Sequence, residues 1–163
     1  MMKRRYYILI SLLLLVFSTG CTKKYTVEEL IEVSRNRMDI SNDTPMEIAG
    51  YSFCEDKVLI WIISENQSHD CNYISIEARD CKNGKYEYIK MHKPMIRGNA
   101  IVALLWQGGY SYLINNRECS YILLKTAYGD KKIFVNKLPF VYYYPSIPRE
   151  YYFLNEYGDA MKD

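Results

Sequence analysis

The sequence predicts a mainly β protein, an antiparallel β-sandwich or open barrel with an N-terminal helix and a short C-terminal helix. Three observations carry that reading. From Met46 onward, short runs rich in Ile, Val, Tyr and Leu alternate with turn residues. Asn83-Gly84, Gly108-Gly109 and Gly129-Asp130 fall between such runs, where hairpin turns require residues that tolerate positive φ. Helical periodicity is concentrated in the segment that opens at Thr26.

Thr26-Val27-Glu28-Glu29 is a capping box, in which the Thr26 hydroxyl and the Glu29 carboxylate satisfy amides left open at a helix start. The helix should run over about residues 26 to 38. Val27, Leu30, Ile31 and Met38 fall near one face, while Glu28, Glu32, Arg35 and Arg37 can stay in water. Asn42 through Pro45 ends it.

Val58 to Ser64 is apolar almost throughout and includes Trp61, the pattern of a central strand covered on both faces. Cys71 to Arg79 and Lys85 to Met91 flank Asn83-Gly84 as a hairpin. With those two residues as the loop, Ala78 faces Ile89 and Ile76 faces Met91 on one side, while Arg79 meets Tyr88 and Glu77 meets Lys90 on the other. Ala100 to Trp106 with Tyr110 to Ile114, and Ser120 to Ala127 with Lys132 to Lys137, form two more hairpins. Phe140 to Tyr144 lies between Pro139 and Pro145, which places it at a sheet edge. Pro148 can open a short helix that Gly158 ends. The count is about seven or eight strands.

The first residues have a different character. Lys3, Arg4 and Arg5 precede an uncharged stretch from Tyr6 to Phe17, which stops at Ser18-Thr19-Gly20-Cys21. That is a signal-peptide layout, and too short for a span that needs about 20 apolar residues. Phe17-Ser18-Thr19-Gly20-Cys21 resembles the lipobox of bacterial lipoproteins, departing from it in having Ser18 where Leu is usual. The resemblance covers residues 1 to 21. It implies cleavage after Gly20 and diacylglycerol on the Cys21 sulfur, with a further acyl chain such as palmitate on the new amino group. The expected organisation is a signal peptide over 1–20, a tether over 21–25 and a single mainly-β domain over 26–163. The protein is expected in the bacterial cell envelope, anchored to a membrane by lipid, with its domain outside the cytoplasm. Thr22 follows the cysteine, so the Asp that commonly retains lipoproteins in an inner membrane is missing. The mature chain is similar to small envelope lipoproteins of unknown function.

Removing residues 1 to 20 from the 163 leaves 143, enough for one domain with a real core. The 21 basic residues fall by three to 18 against 19 acids, a net charge of −1. The mature chain therefore lacks the excess positive charge that attracts nucleic acid. Beyond Cys21, the exported domain holds Cys54, Cys71, Cys81 and Cys119, an even number that reads as two disulfides. If Cys71 to Arg79 is extended, Cys71 and Cys81 are too far apart to bridge. If Val58 to Ser64 pairs antiparallel with Cys71 to Ala78, Cys54 falls opposite Cys81. The expected bridges are thus Cys54 with Cys81 and Cys71 with Cys119. Zinc is a weaker reading, since the cysteine spacings of 17, 10 and 38 residues lack short ligand pairs.

No nucleophile elbow, Gly-rich phosphate loop or His-Glu-x-x-His occurs, and His69 and His92 are the only histidines. His92 reads as a wet residue at a strand end. Glu55, Asp56, Glu65 and Asp70 are acids near strand ends, but sequence spacing cannot set the carboxyl separation that glycosidase chemistry requires. The expectation is a non-enzymatic protein with no cofactor that binds another envelope protein, as a subunit, assembly factor or inhibitor. The alternative is a glycan-binding module using exposed aromatics. Either way the recognition surface is expected at Trp106, Tyr142, Tyr143, Tyr144, Tyr151 and Tyr152, since the chain holds 17 tyrosines and Tyr offers contact area at low entropic cost.

Overall fold

The structure, a computed structural model, describes residues 23–65, 71–97 and 101–161. The expected signal segment, Cys21, His69 and Asp70 lie outside them. Strand β1 (Lys24–Tyr25) leads into helix α1 (Val27–Met38), capped as the sequence requires: the Glu29 amide donates to the Thr26 hydroxyl at 3.2 Å, and the Thr26 amide donates to Glu29 Oε2 at 2.7 Å. Lys24 and Tyr25, at the end of the expected tether, are therefore already in a sheet. Arg35 departs from expectation, because it is buried rather than wet. Its guanidinium donates to the carbonyls of Ser41 and Thr44, which satisfies the backbone leaving the helix.

Eleven strands follow: β2 (Met46–Cys54), β3 (Lys57–Glu65), β4 (Cys71–Asp80), β5 (Tyr86–Met91), β6 (Met95–Arg97), β7 (Ile101–Trp106), β8 (Gly109–Ile114), β9 (Tyr121–Thr126), β10 (Gly129–Phe134), β11 (Phe140–Tyr144) and β12 (Glu150–Leu154). They form three antiparallel sheets. The first has the order β1-β5-β4-β3-β2, with β6 beside the start of β4; the second is β11-β8-β7 and the third β10-β9-β12. None of them closes on itself.

The sheets pack face to face. Val58, Ile60, Ile62, Ile74, Ile76 and Ala78 turn one face of the first sheet towards Leu30 of α1. Leu59, Trp61, Ile63 and Tyr73 turn the other face onto Val102, Trp106 and Leu113 of the second sheet. Tyr112 and Ile114, on the far face of the second sheet, meet Ile122 and Leu124 of the third. β3 is buried on both sides over Val58 to Ser64, the central strand its sequence predicts. Each such Ile or Leu contributes roughly 1.5–3 kcal/mol by leaving water.

The Asn83-Gly84 hairpin forms, with half of its expected register. Ile76 faces Met91 and Glu77 faces Lys90, but a shift between Glu77 and Ala78 then sets Ala78 against Tyr88 and Arg79 against Glu87. Lys82, Asn83 and Gly84 all have positive φ, so the turn is one residue longer than expected, and the bulge absorbs that residue. The new register pairs Arg79 with Glu87 at 2.9 Å.

The expected C-terminal helix is instead β12, whose Tyr151 and Phe153 turn inward while Tyr152 turns outward in antiparallel pairing with β9. Alternating aromatic residues favour that pleated arrangement over a helix.

The disulfides are also corrected, because Cys54, Cys71, Cys81 and Cys119 are all free thiols. β3 and β4 are neighbours as supposed, one residue off the expected register. Cys54, however, belongs to β2 and turns back beside Lys57, so it does not extend β3 towards Cys81. Cys71 packs between the first and second sheets and Cys119 between the second and third, on opposite faces of the second sheet.

Candidate functional site

A carboxylate in the middle of a strand needs compensation if the strand is buried. Glu77 of β4 is 3% exposed, on the face that the first sheet turns towards the second. Gln107, from the β7–β8 turn, donates to Glu77 Oε1 at 2.9 Å. Lys57 Nζ of β3 lies 3.8 Å from Oε1, while Lys90 Nζ of β5 and His92 Nε2 lie 3.5 Å and 3.6 Å from Oε2. Lys57 also donates to Gln107 Oε1 at 3.2 Å, which ties the turn to two strands at once.

Gln107 has φ of 47°, a conformation that costs a non-glycine residue roughly 1–2 kcal/mol. Glu77 and Lys57 hold its amide group, and its carbonyl accepts from the Tyr143 hydroxyl at 3.0 Å. Burial, followed by contact with the Cys54 thiol, pushes the Tyr143 hydroxyl up to about 12. His92 is half-buried rather than wet. Burial and then the Lys90 ammonium hold its imidazole below the ordinary histidine range, with Glu77 pulling the other way. Two lysines thus face one carboxylate and a neutral imidazole. That set can orient a charged group and fix a turn.

The expected recognition residues separate. Trp106 is 3% exposed and meets Tyr143 edge-on at 5.2 Å inside the first interface. Tyr142 and Tyr144 line the second interface, with Lys131 Nζ 5.6 Å and 5.5 Å from their rings, while Tyr151 packs against Tyr110 and Tyr112 and is still 37% exposed. Tyr152 alone turns to the outer face of the third sheet. There it joins Tyr121, Leu123 and Phe134, on the side away from Ile122 and Leu124. Phe134 is 61% exposed, and Lys132 Nζ sits 3.7 Å from the centre of the Tyr121 ring. Lys125 pairs with Glu150 at 3.2 Å on the same face.

Glu77 with Gln107, Lys57 and His92 was missed from sequence, where only the Glu77–Lys90 pairing was legible. The available signal was a glutamine at the first position of a two-residue hairpin loop, where Asn, Asp or Gly is usual. Among the described residues no cluster of three or more His, Cys, Asp or Glu is placed to hold a metal, and no helix is long and apolar enough to cross a membrane. No family model, curated protein or solved structure matches this chain.

Proposed function

We propose that the protein is a lipid-anchored, non-enzymatic lipoprotein of the bacterial cell envelope, and that it binds another envelope protein. The anchor reading rests on the basic start, the apolar stretch and Ser18-Thr19-Gly20-Cys21. The binding reading rests on one observation, the outer face of the third sheet. Tyr121, Leu123, Phe134 and Tyr152 form an apolar patch there, bordered by Lys125, Lys132 and Glu150. An apolar patch on an outer sheet face, with Phe134 61% exposed, suits a protein partner. Sugar recognition by a row of exposed rings is the weaker alternative, since Trp106 is buried and the tyrosines divide among different faces.

The test is affinity capture by the full-length lipoprotein from its own envelope, comparing wild type with Phe134→Asp and Tyr152→Asp. One protein recovered by wild type and lost with both variants is the expected result. Retention on purified cell-wall glycan, with no protein dependent on these residues, would overturn it. Mass spectrometry of the mature N-terminus tests the anchor: Cys21 should carry the acyl chains, and an unacylated cysteine or cleavage elsewhere contradicts it.

A further inference from the structure

The layers of this fold differ in width. In the first sheet, β2, β3 and β4 are followed by a row shared by β5 and β6, both of which pair with β4, and the two-residue β1 lies beyond the Tyr86 end of β5. The second sheet has only three strands. A Cβ on Gly50 of β2 would lie 2.8 Å from Val141 of β11. Ser111 of β8 is 2.8 Å from both Ser52 of β2 and Trp61 of β3. Gln107, at the end of β7, reaches Glu77 of β4, and Asn115, just past β8, donates to the Tyr73 hydroxyl of β4 at 3.1 Å. The three strands therefore lie over β2 to β4. Among the described residues, no strand lies beside β7 in the row facing β5 and β6.

β7 has a backbone suited to fill that row. Its loop to β8 is Gln107-Gly108, with φ of 47° and 71°, and Trp106 pairs directly with Gly109. In a two-residue hairpin the residues flanking the loop form a hydrogen-bonded pair, so Val102, Leu104 and Trp106 bond to β8 while Ile101, Ala103 and Leu105 point their N–H and C=O groups outward. No described strand pairs with that edge. Other edges carry features that discourage pairing: Lys131 and Lys132 on β10, flanking prolines at β11, and the Gly50 bulge on β2. Ile101–Trp106 contains neither charge nor proline, and Leu105 is 56% exposed.

Resting on the reading of the protein as a binder of envelope proteins, we propose that an extended segment of the partner adds to β7 as a fourth strand beneath β5 and β6. A second copy of this chain does not fit. Edge-to-edge pairing of two β7 strands sets them about 4.8 Å apart, whereas each first sheet overhangs β7 by a full row on the same side. A single strand occupies one row. Near Ile101 its inward side chains meet Met95, which already packs on the apolar interface. Near Trp106 they meet Lys90, whose side chain is 57% exposed beside Glu77. The segment is therefore apolar at one end and carries a carboxylate at the other, running antiparallel to β7 like every other pair in the fold.

The probe is the blocked peptide Thr-Glu-Thr-Val-Thr-Val-Thr, added to the full-length lipoprotein in detergent while amide exchange is followed residue by residue. Saturating peptide should slow exchange at Ile101, Ala103 and Leu105 at least tenfold and leave Val102, Leu104 and Trp106 unchanged. Ala103→Pro removes an outward N–H and should weaken peptide binding at least tenfold. Should that variant fold poorly, Leu105→Lys, a charge on an exposed position, should do the same. Lys90→Glu should weaken this peptide and favour one with Lys in place of Glu. Absence of protection at millimolar peptide, protection of other amides, or binding indifferent to these variants overturns the proposal. Capture through Phe134 would survive that failure, whereas peptide addition without Phe134-dependent capture would overturn the broader reading instead.

Discussion

Glu77 and Gln107 hold each other in arrangements that neither would adopt alone. Glu77→Ala removes the acceptor for the Gln107 amide and the carboxylate facing Lys57 and Lys90, and should cost about 1–3 kcal/mol in chemical denaturation. Gln107→Gly relieves the strained φ but loses that same hydrogen bond, so in the wild-type background the two effects should nearly offset each other. Once Glu77 is alanine the relief is opposed only by the exposed Lys57 contact, and Gln107→Gly should then stabilise by about 1 kcal/mol. A strictly additive double-mutant cycle would contradict the coupling.

His92 gives the same site a pH dependence. Its imidazole is held low mainly by burial, so the unfolded chain takes up this proton more readily than the folded one. Its contribution to stability is complete above the ordinary histidine value of about 6.5 and is lost as pH falls through the lower, folded value. His92→Gln should flatten the decline in denaturation midpoint as pH falls below about 6.5. An unchanged slope would show that other groups set it.

At the scale of elements, the local signals were readable and the tertiary ones were not. The capping box at Thr26, the buried run of β3 and the edge position of β11 follow from short-range pattern. The β4–β5 register was legible only as far as Glu77, because three successive positive-φ residues in the turn include Lys82, which sequence does not mark as a turn former. β12 was misread because Pro148 and Gly158 resemble helix boundaries, while its alternation of inward and outward rings gains meaning only from pairing with β9. Glu77 and Gln107 are 30 residues apart and meet only when two sheets stack.

Stacking also fixes small residues. A Cβ on Gly109 would come 2.1 Å from the Tyr144 carbonyl oxygen, a backbone atom that cannot step aside. Gly109→Ala should therefore disrupt the β8–β11 pairing and lower the melting temperature by far more than Gly84→Ala, whose added Cβ meets nothing within 4 Å and costs only the strain of its φ of 67°. Ser111→Ala is expected to cost about 1–3 kcal/mol in denaturant titration, because Trp61 Nε1 and Ser52 would lose their shared partner between the sheets.

At the scale of the whole molecule, the layers explain why the cysteines do not pair. Cys71 and Cys119 are separated by the second sheet, and Cys54 and Cys71 sit near opposite ends of the β3 ladder. Alkylation of the mature protein after unfolding without reductant should modify all four thiols. The short leader has a geometric consequence under the proposed anchor. Only Thr22 and Lys23 separate Cys21 from β1, a reach of roughly 10 Å, which keeps the first sheet beside the membrane. The third sheet lies two layers away from the first, with the patch around Phe134 on its outer face.

Photo-crosslinking in the living envelope tests the proposed partner surface most directly, with a photoreactive amino acid placed at Phe134 and, in a separate strain, at exposed Glu55 in the β2–β3 turn. Position 134 should yield one discrete protein adduct, lost when Cys21→Ala prevents anchoring, while position 55 should yield none. Absence of any protein adduct at 134, or the same adducts from both positions, would contradict the proposal.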